Sequence, residues 1–304
     1  MTDNNKAGSK KGALISRRQL LGLGAGLGLG TGLGLMAIPG LSPLAKSTPQ
    51  KKIGLQLYTL RDLMAKSVPE TLKLAASIGY REVEFAGYFD HKPKVLREIL
   101  DSEGLVAPST HAPLESLQKD FESLIEAAQI LGHRYIVVPY LNDEQRGTGI
   151  DTYKRLAEQF NILGERCSKA GLRFAYHNHA FEFDKVDDQV PYHVILAETD
   201  PQYVYMELDL YWTAKAGKDP LDYFRKHPGR FRLWHVKDMD ENGNFADVGQ
   251  GVIDFRRIFA AADIAGLEHG FVERDHTDDP ISTIRQGYKG MKQLASHTNG
   301  TKLS

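Results

Sequence analysis

The chain has 304 residues, 41% of them hydrophobic and 25% charged, enough to bury a sizeable core and too apolar for a disordered polymer. Its net charge is -1, and basic residues gather only at the extreme N-terminus, so a nucleic-acid surface is excluded as the expected partner.

The first 45 residues differ from the rest. Lys6, Lys10, Lys11, Arg17 and Arg18 stand against Asp3 alone, and an uncharged stretch follows from Gln19 to Ala45. Its alternation of Leu with Gly disfavours a stable helix and keeps it below the hydrophobicity of a membrane span. With "SRRQLL" in front, the segment resembles a twin-arginine export signal, an address rather than an anchor, although the usual phenylalanine and trailing lysine are missing. Residues 1–45 are therefore expected to be a signal, and 46–304 one catalytic domain that is periplasmic or otherwise exported. Removal of the +4 signal leaves a body of -5 with no stable membrane association expected. The lone cysteine, Cys167, can form no intrachain disulfide and reads as a packed helix residue.

From residue 53 onward, eight apolar runs alternate with stretches of helical period: 53–59, 82–87, 105–112, 134–140, 172–179, 203–210, 231–238 and 270–276. The intervening segments, such as "SVPETLKLAASIG" and "IDTYKRLAEQFNILGERCSKAG", close on glycine as helices do. Eight strand-helix units in about 259 residues predict an α/β fold, a closed (β/α)8 TIM barrel. The competing doubly wound sheet should carry a glycine-rich turn after its first strand, where "LQLYTLRD" stands instead. The Gly-x-Gly of "VGQGVIDF" reads as a tight loop capped by Asp254.

A barrel of this kind collects its chemistry at the C-terminal ends of its strands. Here those ends carry His111, then His177 and His179 with Glu182 just beyond, then Glu207 and Asp209, then His235, then Glu273 and His276. Asp209, His235 and Glu273 lie in or beside apolar runs of consecutive strands. There an unpaired charge costs several kcal/mol, so a shared metal site is expected. Hard oxygen mixed with imidazole suits Mn(II), Mg(II), Co(II) or Zn(II). A fourth ligand has to come from "YHNHAFEF": His177 and His179 share a strand face, and Glu182 would reach back from the loop.

In order along the chain, "GLQLYTLRD", "GYREVEFAGY", "YHNHAFEF", "ELDLYW", "LWHVKDMD", "VGQGVIDF" and "FVERDH" resemble the sugar isomerase and epimerase family with a xylose-isomerase-like barrel, across nearly all of residues 52–296. The resemblance implies one divalent metal, with manganese as the expected ion, held by a glutamate, an aspartate, a histidine and a second glutamate. Asp209, His235 and Glu273 match the last three. Where many relatives have Glu-Asn-His this chain has His177-Asn178-His179, as does the branch resembling inosose dehydratases and other keto-sugar enzymes. Glu182 is the expected first ligand, with His177 as the alternative.

Such a site implies proton removal next to a carbonyl through an enediolate, with Glu182 and Glu273 as acid and base and His179 and His111 as proton donors. His177, Trp212, Lys237 and Tyr58 are expected to contact a sugar or keto-sugar. The leading expectation is an isomerase or epimerase, the next a lyase or dehydratase, and the third a carbohydrate-binding protein. A homo-oligomer is compatible with the sequence.

Overall fold

The structure, a computed structural model, describes residues 53–298; the expected export signal, residues 1–45, lies outside them. Eight parallel strands close into a barrel: β1 (Gly54–Gln56), β2 (Glu82–Phe85), β3 (Val106–His111), β4 (Tyr135–Val138), β5 (Arg173–His177), β6 (Val204–Asp209), β7 (Leu233–Val236) and β8 (His269–Val272), with β8 pairing back onto β1. Seven of the eight apolar runs contain their strand and the eighth, 270–276, starts one residue inside its strand, with helices in the segments between them. The helix Val68–Ile78 shows the local logic. Ser67 accepts from the Glu70 amide at 3.4 Å, Pro69 sits in the first turn, and Gly79, at φ 123°, ends it.

Alternation along the strands fills the barrel interior in layers. At the N-terminal ends, His269 Nδ1 lies 2.8 Å from Glu82 Oε2 and Arg173 pairs with Glu268 at 2.7 Å. Above them Tyr135, Val137, Ala175, Leu233 and Phe271 form a buried apolar plug. Gly54 is required opposite that plug, because a Cβ there would stand 2.4 Å from Phe271 Cδ1 and 2.9 Å from the Gly270 carbonyl oxygen. Inward positions nearer the C-terminal ends are polar. The larger hydrophobic core lies between the barrel and its helices. Cys167 belongs there, its thiol pushed up to about 12 by burial, as expected of a packed residue.

One element has no counterpart in the sequence reading: an antiparallel pair after β7, Asp238–Met239 with Phe245–Ala246. Only two residues long, it shows no periodicity, and its turn is held by Asp240 Oδ1 accepting from the amides of Asn242 and Asn244 at 2.9 and 2.8 Å. The loop "VGQGVIDF" folds against this pair. Asp238 Oδ2 accepts from the amides of Gly249 and Gly251, both at 2.9 Å, so an internal carboxylate takes the amides a phosphate would have used. Asp254 caps the following helix by accepting from the Arg257 amide at 3.0 Å.

If the apolar plug supports the polar layer above it, Phe271→Ala should cost about 3–5 kcal/mol in urea unfolding. A loss below about 1 kcal/mol would show that the interior tolerates a void there.

Candidate active site

Residues two apart on a strand share a face, so Glu207 and Asp209 on β6, and His235 with Lys237 just past β7, all point inward. Pairing sets their level: Asp209 is in register with His235, and His177 with Glu207. Glu273 follows β8 directly. One donor atom from each of His177, Asp209, His235 and Glu273 lies within 4.8 Å of the others, and all four residues are buried.

Both histidines are oriented from behind. The His177 Nδ1–H is placed to donate to the Pro139 carbonyl at 2.8 Å, leaving Nε2 toward Asp209 Oδ2 at 3.2 Å. His235 points Nε2 at Glu84 Oε2, 2.8 Å away, and turns Nδ1 to the cluster. That Nδ1 is 2.7 Å from Glu273 Oε2, yet neither atom has a partner in hydrogen-bond geometry. Close donor atoms that do not hydrogen-bond one another are what co-ligands of a cation look like. Two imidazoles whose far nitrogens are engaged, with two carboxylates, fit a divalent metal of the Mn(II), Co(II) or Zn(II) kind. Asp209 Oδ1 accepts from the Trp212 amide at 2.8 Å at the start of a helix, which fixes the carboxylate and leaves Oδ2 for the cluster.

Beneath His235 lies a second set. Glu84 and Glu207 flank His111, whose Nε2 stands 3.3 Å from Glu84 Oε2 and 3.0 Å from Glu207 Oε2, and Gln56 donates to Glu84 at 2.7 Å. Burial disfavours the imidazolium of His111, but the two carboxylates outweigh it and raise its pKa to about 9. In the same way burial is overcome at Glu84, which is held low by His111 and His235.

Lys237 is buried with its ammonium among carboxylates: Asp209 Oδ2 and Glu273 Oε2 at 2.8 Å each, and Asp275 Oδ1 at 2.6 Å. Burial opposes every one of these charges. Attraction prevails at Asp209 and Glu273, which are held low, and at Lys237, which is held high. At Asp275, burial with the neighbouring Glu273 and Asp209 wins over Lys237, and its carboxyl is pushed up.

Glu182 is not brought into this group, contrary to the expectation that it reaches back as a ligand and catalytic carboxylate. It sits in a short 3-10 turn, Phe181–Phe183, fully buried behind β5, where it accepts from the Tyr176 hydroxyl at 2.5 Å and the His179 amide at 2.9 Å. Tyr176 faces away from the barrel interior because His177 faces into it. Burial raises the Glu182 carboxyl to about 7 against those two donors. His177 takes the expected place of the first ligand rather than a substrate contact alone.

His179 lies beside the cluster, its ring 4.9 Å from His177, 5.0 Å from Tyr140 and 5.4 Å from Trp212, with Nδ1 buried and unpartnered. Burial, helped by His177 and Lys237, lowers its pKa to about 2. Trp212 also approaches Lys237, at 6.0 Å from ring to Nζ. Tyr58 is 41% exposed, with the Arg61 guanidinium over its ring, and its amide donates to Gln56 Oε1 at 2.8 Å. His276 is exposed as well. Glu84, Gln56 and Asp275 were not anticipated. For Glu84 a signal existed, a carboxylate inside the apolar strand "EVEF".

The chain matches the model of the xylose isomerase-like TIM barrel family over residues 72–294. The chain belongs to this family. Among curated relatives it is 25% identical over 244 residues to the inosose dehydratase of Geobacillus thermodenitrificans (strain NG80-2), covering 68% of this chain and 81% of that protein. The inosose dehydratase of Lacticaseibacillus casei is likewise 25% identical over 261 residues, covering 73% of this chain and 86% of that protein. Among solved structures, a sugar phosphate isomerase/epimerase from Parabacteroides distasonis ATCC 8503 is 28% identical with a TM-score of 0.69, covering 85% of this chain and 99% of the other.

The position of Glu182 in this family member carries a pH signature. Its folded pKa of about 7 exceeds the usual 4.5, so the native state holds the proton more tightly than the unfolded chain does. That stabilisation is complete below pH 4.5 and is lost as pH rises through 7, by up to about 3 kcal/mol. Glu182→Gln mimics the protonated acid, so its stability relative to wild type should climb over that interval when both are unfolded in urea. Parallel pH profiles would show that Glu182 is not the buried acid described.

Proposed function

We propose that this family member is a divalent-metal-dependent lyase of the dehydratase type, which removes the proton next to the carbonyl of a keto-polyol or keto-sugar and expels the β-hydroxyl as water. The observation carrying this reading is the exchange at the first ligand position: His177 faces the cluster, and Glu182 is locked behind the strand by Tyr176. Matched glutamates on two sides of a substrate carbon serve reversible epimerisation, and here that pair is lost. An elimination asks for one base and one acid of different kinds. The relatives named inosose dehydratase, matched over more than four fifths of their length, support it.

In this reading His177, Asp209, His235 and Glu273 hold the ion, with Mn(II) the working choice; two imidazoles make Mg(II) a poor match. When bound, the ion polarises the substrate carbonyl and stabilises the charge that develops on its oxygen. His179, which burial keeps neutral and whose ring lies 4.9 Å from that of His177, is the imidazole placed to accept the proton from the carbon next to the carbonyl. That C–H electron pair becomes the new double bond while the β C–O bond breaks with its own pair. His111, whose ring lies 5.6 Å from that of His177 and whose pKa is raised to about 9, protonates the departing hydroxyl. Trp212 and Tyr140 offer flat apolar faces to the sugar C–H bonds. The export reading of residues 1–45 belongs to the same proposal and favours an unphosphorylated substrate.

A second reading, isomerase or epimerase, has in its favour the name of the Parabacteroides distasonis structure. Incubating the manganese-loaded protein with inosose and with 3-keto-glucosides in deuterated water separates the two. Loss of a hydroxyl or glycoside with formation of an unsaturated ketone is expected. Deuterium uptake with the skeleton intact would replace the proposal by the second reading, and neither change in any ketone would remove both.

The ligand assignment has its own check in manganese titration calorimetry. His177→Ala should weaken binding at least about tenfold, whereas Glu182→Gln should leave it nearly unchanged. The reverse order would return Glu182 to the metal.

A further inference from the structure

We infer that Lys237 is the built-in counter-ion of the metal seat: its ammonium and a divalent cation compete for the same two oxygens, and loading the metal moves Nζ onto Asp275 alone. This rests on the metal reading above.

Atom identity is the first ground. Nζ stands 2.8 Å from both Asp209 Oδ2 and Glu273 Oε2. Those two oxygens are also the ones that approach His177 Nε2 at 3.2 Å and His235 Nδ1 at 2.7 Å. A cation held by the two imidazoles therefore has to draw on the oxygens the ammonium now neutralises. Glu273 Oε2 and Asp275 Oδ1 have no partner in good hydrogen-bond geometry, so the ammonium meets these two oxygens chiefly through charge. An ammonium in that position occupies charge rather than lone-pair direction, and a metal can displace it.

Charge balance is the second ground. Asp209, Glu273 and Asp275 put three carboxylates around one spot, and without a metal Lys237 is the cation shared by all three. A divalent ion and an ammonium on the same oxygens would repel strongly in so buried a place. Complete ejection of Lys237 would strand a buried charge. Asp275 Oδ1, at 2.6 Å, is an acceptor outside the ligand group that lets the ammonium step aside without losing its partner. Lys237 thus balances these carboxylates whenever no metal is bound and lowers their affinity for metal, which makes loading reversible.

The test is manganese binding, read from the electron paramagnetic resonance of the free ion, in wild type, Lys237→Met, Asp275→Asn and the double variant. Lys237→Met is expected to bind at least about tenfold tighter than wild type, since the competing charge is gone. Asp275→Asn should bind more weakly, because the ammonium then has only the ligand oxygens. In the double variant that weakening should largely disappear. Equal or weaker binding by Lys237→Met overturns the inference while the metal reading stands; no binding by wild type removes the metal reading itself. If Lys237→Met does not fold, a crystal structure of the manganese-loaded wild type decides. Nζ near Asp275 and beyond about 3.5 Å from both ligand oxygens supports the exchange, and Nζ still within about 3 Å of both refutes it.

Discussion

Everything at the mouth of this barrel depends on His235 being held from two sides. Its Nε2 meets Glu84 at 2.8 Å and Glu207 at 3.2 Å, while Nδ1 faces Glu273 at 2.7 Å and Asp209 at 3.7 Å. One fully buried ring therefore joins a lower layer of Glu84, His111 and Glu207 to an upper layer of His177, Asp209, Glu273 and Lys237. Carboxylates taken this far from water persist only where cations or hydrogen bonds meet them. In the lower layer Glu84 Oε2 and Glu207 Oε2 face two histidines, with Gln56 donating to Glu84, while Glu84 Oε1 and Glu207 Oε1 have no hydrogen-bond partner. In the upper layer Lys237 sets its ammonium against Asp209, Glu273 and Asp275, and His235 Nδ1 and Glu273 Oε2 stand close without hydrogen-bonding.

The apolar plug beneath explains why this arrangement stays in register. Tyr135, Leu233 and Phe271 fill the interior one layer below, and Gly54 makes room for the Phe271 ring. A shift of one residue in any strand would turn its ligand outward and an apolar side chain inward. The same packing that stabilises the barrel thereby fixes the spacing of donors that come from four strands.

How much of this was legible in the sequence follows from which pattern each residue obeys. Asp209, His235 and Glu273 could be seen because each interrupts or ends an apolar run, where a polar residue needs a reason. The eight strands were visible for the same cause. Glu182 misled because it lies outside regular structure: whether a side chain in a 3-10 turn points into the barrel or behind it depends on Tyr176, the outward neighbour of His177, and no periodicity reports that contact. Asp275 was hidden in "FVERDH", where loop carboxylates are ordinary. Lys237, expected as a sugar contact, has Asp209, Glu273 and Asp275 as its partners, a gathering of loop and strand carboxylates that no local pattern reports.

The histidine at position 177 and the lysine at 237 belong to one charge problem. A neutral first ligand removes a negative charge from the cluster, leaving Asp209 and Glu273 as its only anions. A divalent ion would then be neutralised by its ligands, whereas a third ligating carboxylate would have left a net charge of -1. A neutral centre withdraws electrons from a coordinated carbonyl more strongly than an anionic one, because less ligand charge opposes the polarisation. That favours deprotonation beside the carbonyl. In the proposed lyase it would also leave the site without a second glutamate to return the proton from the opposite face, so the same exchange that would sharpen the acidity of the substrate would direct it toward loss of a group.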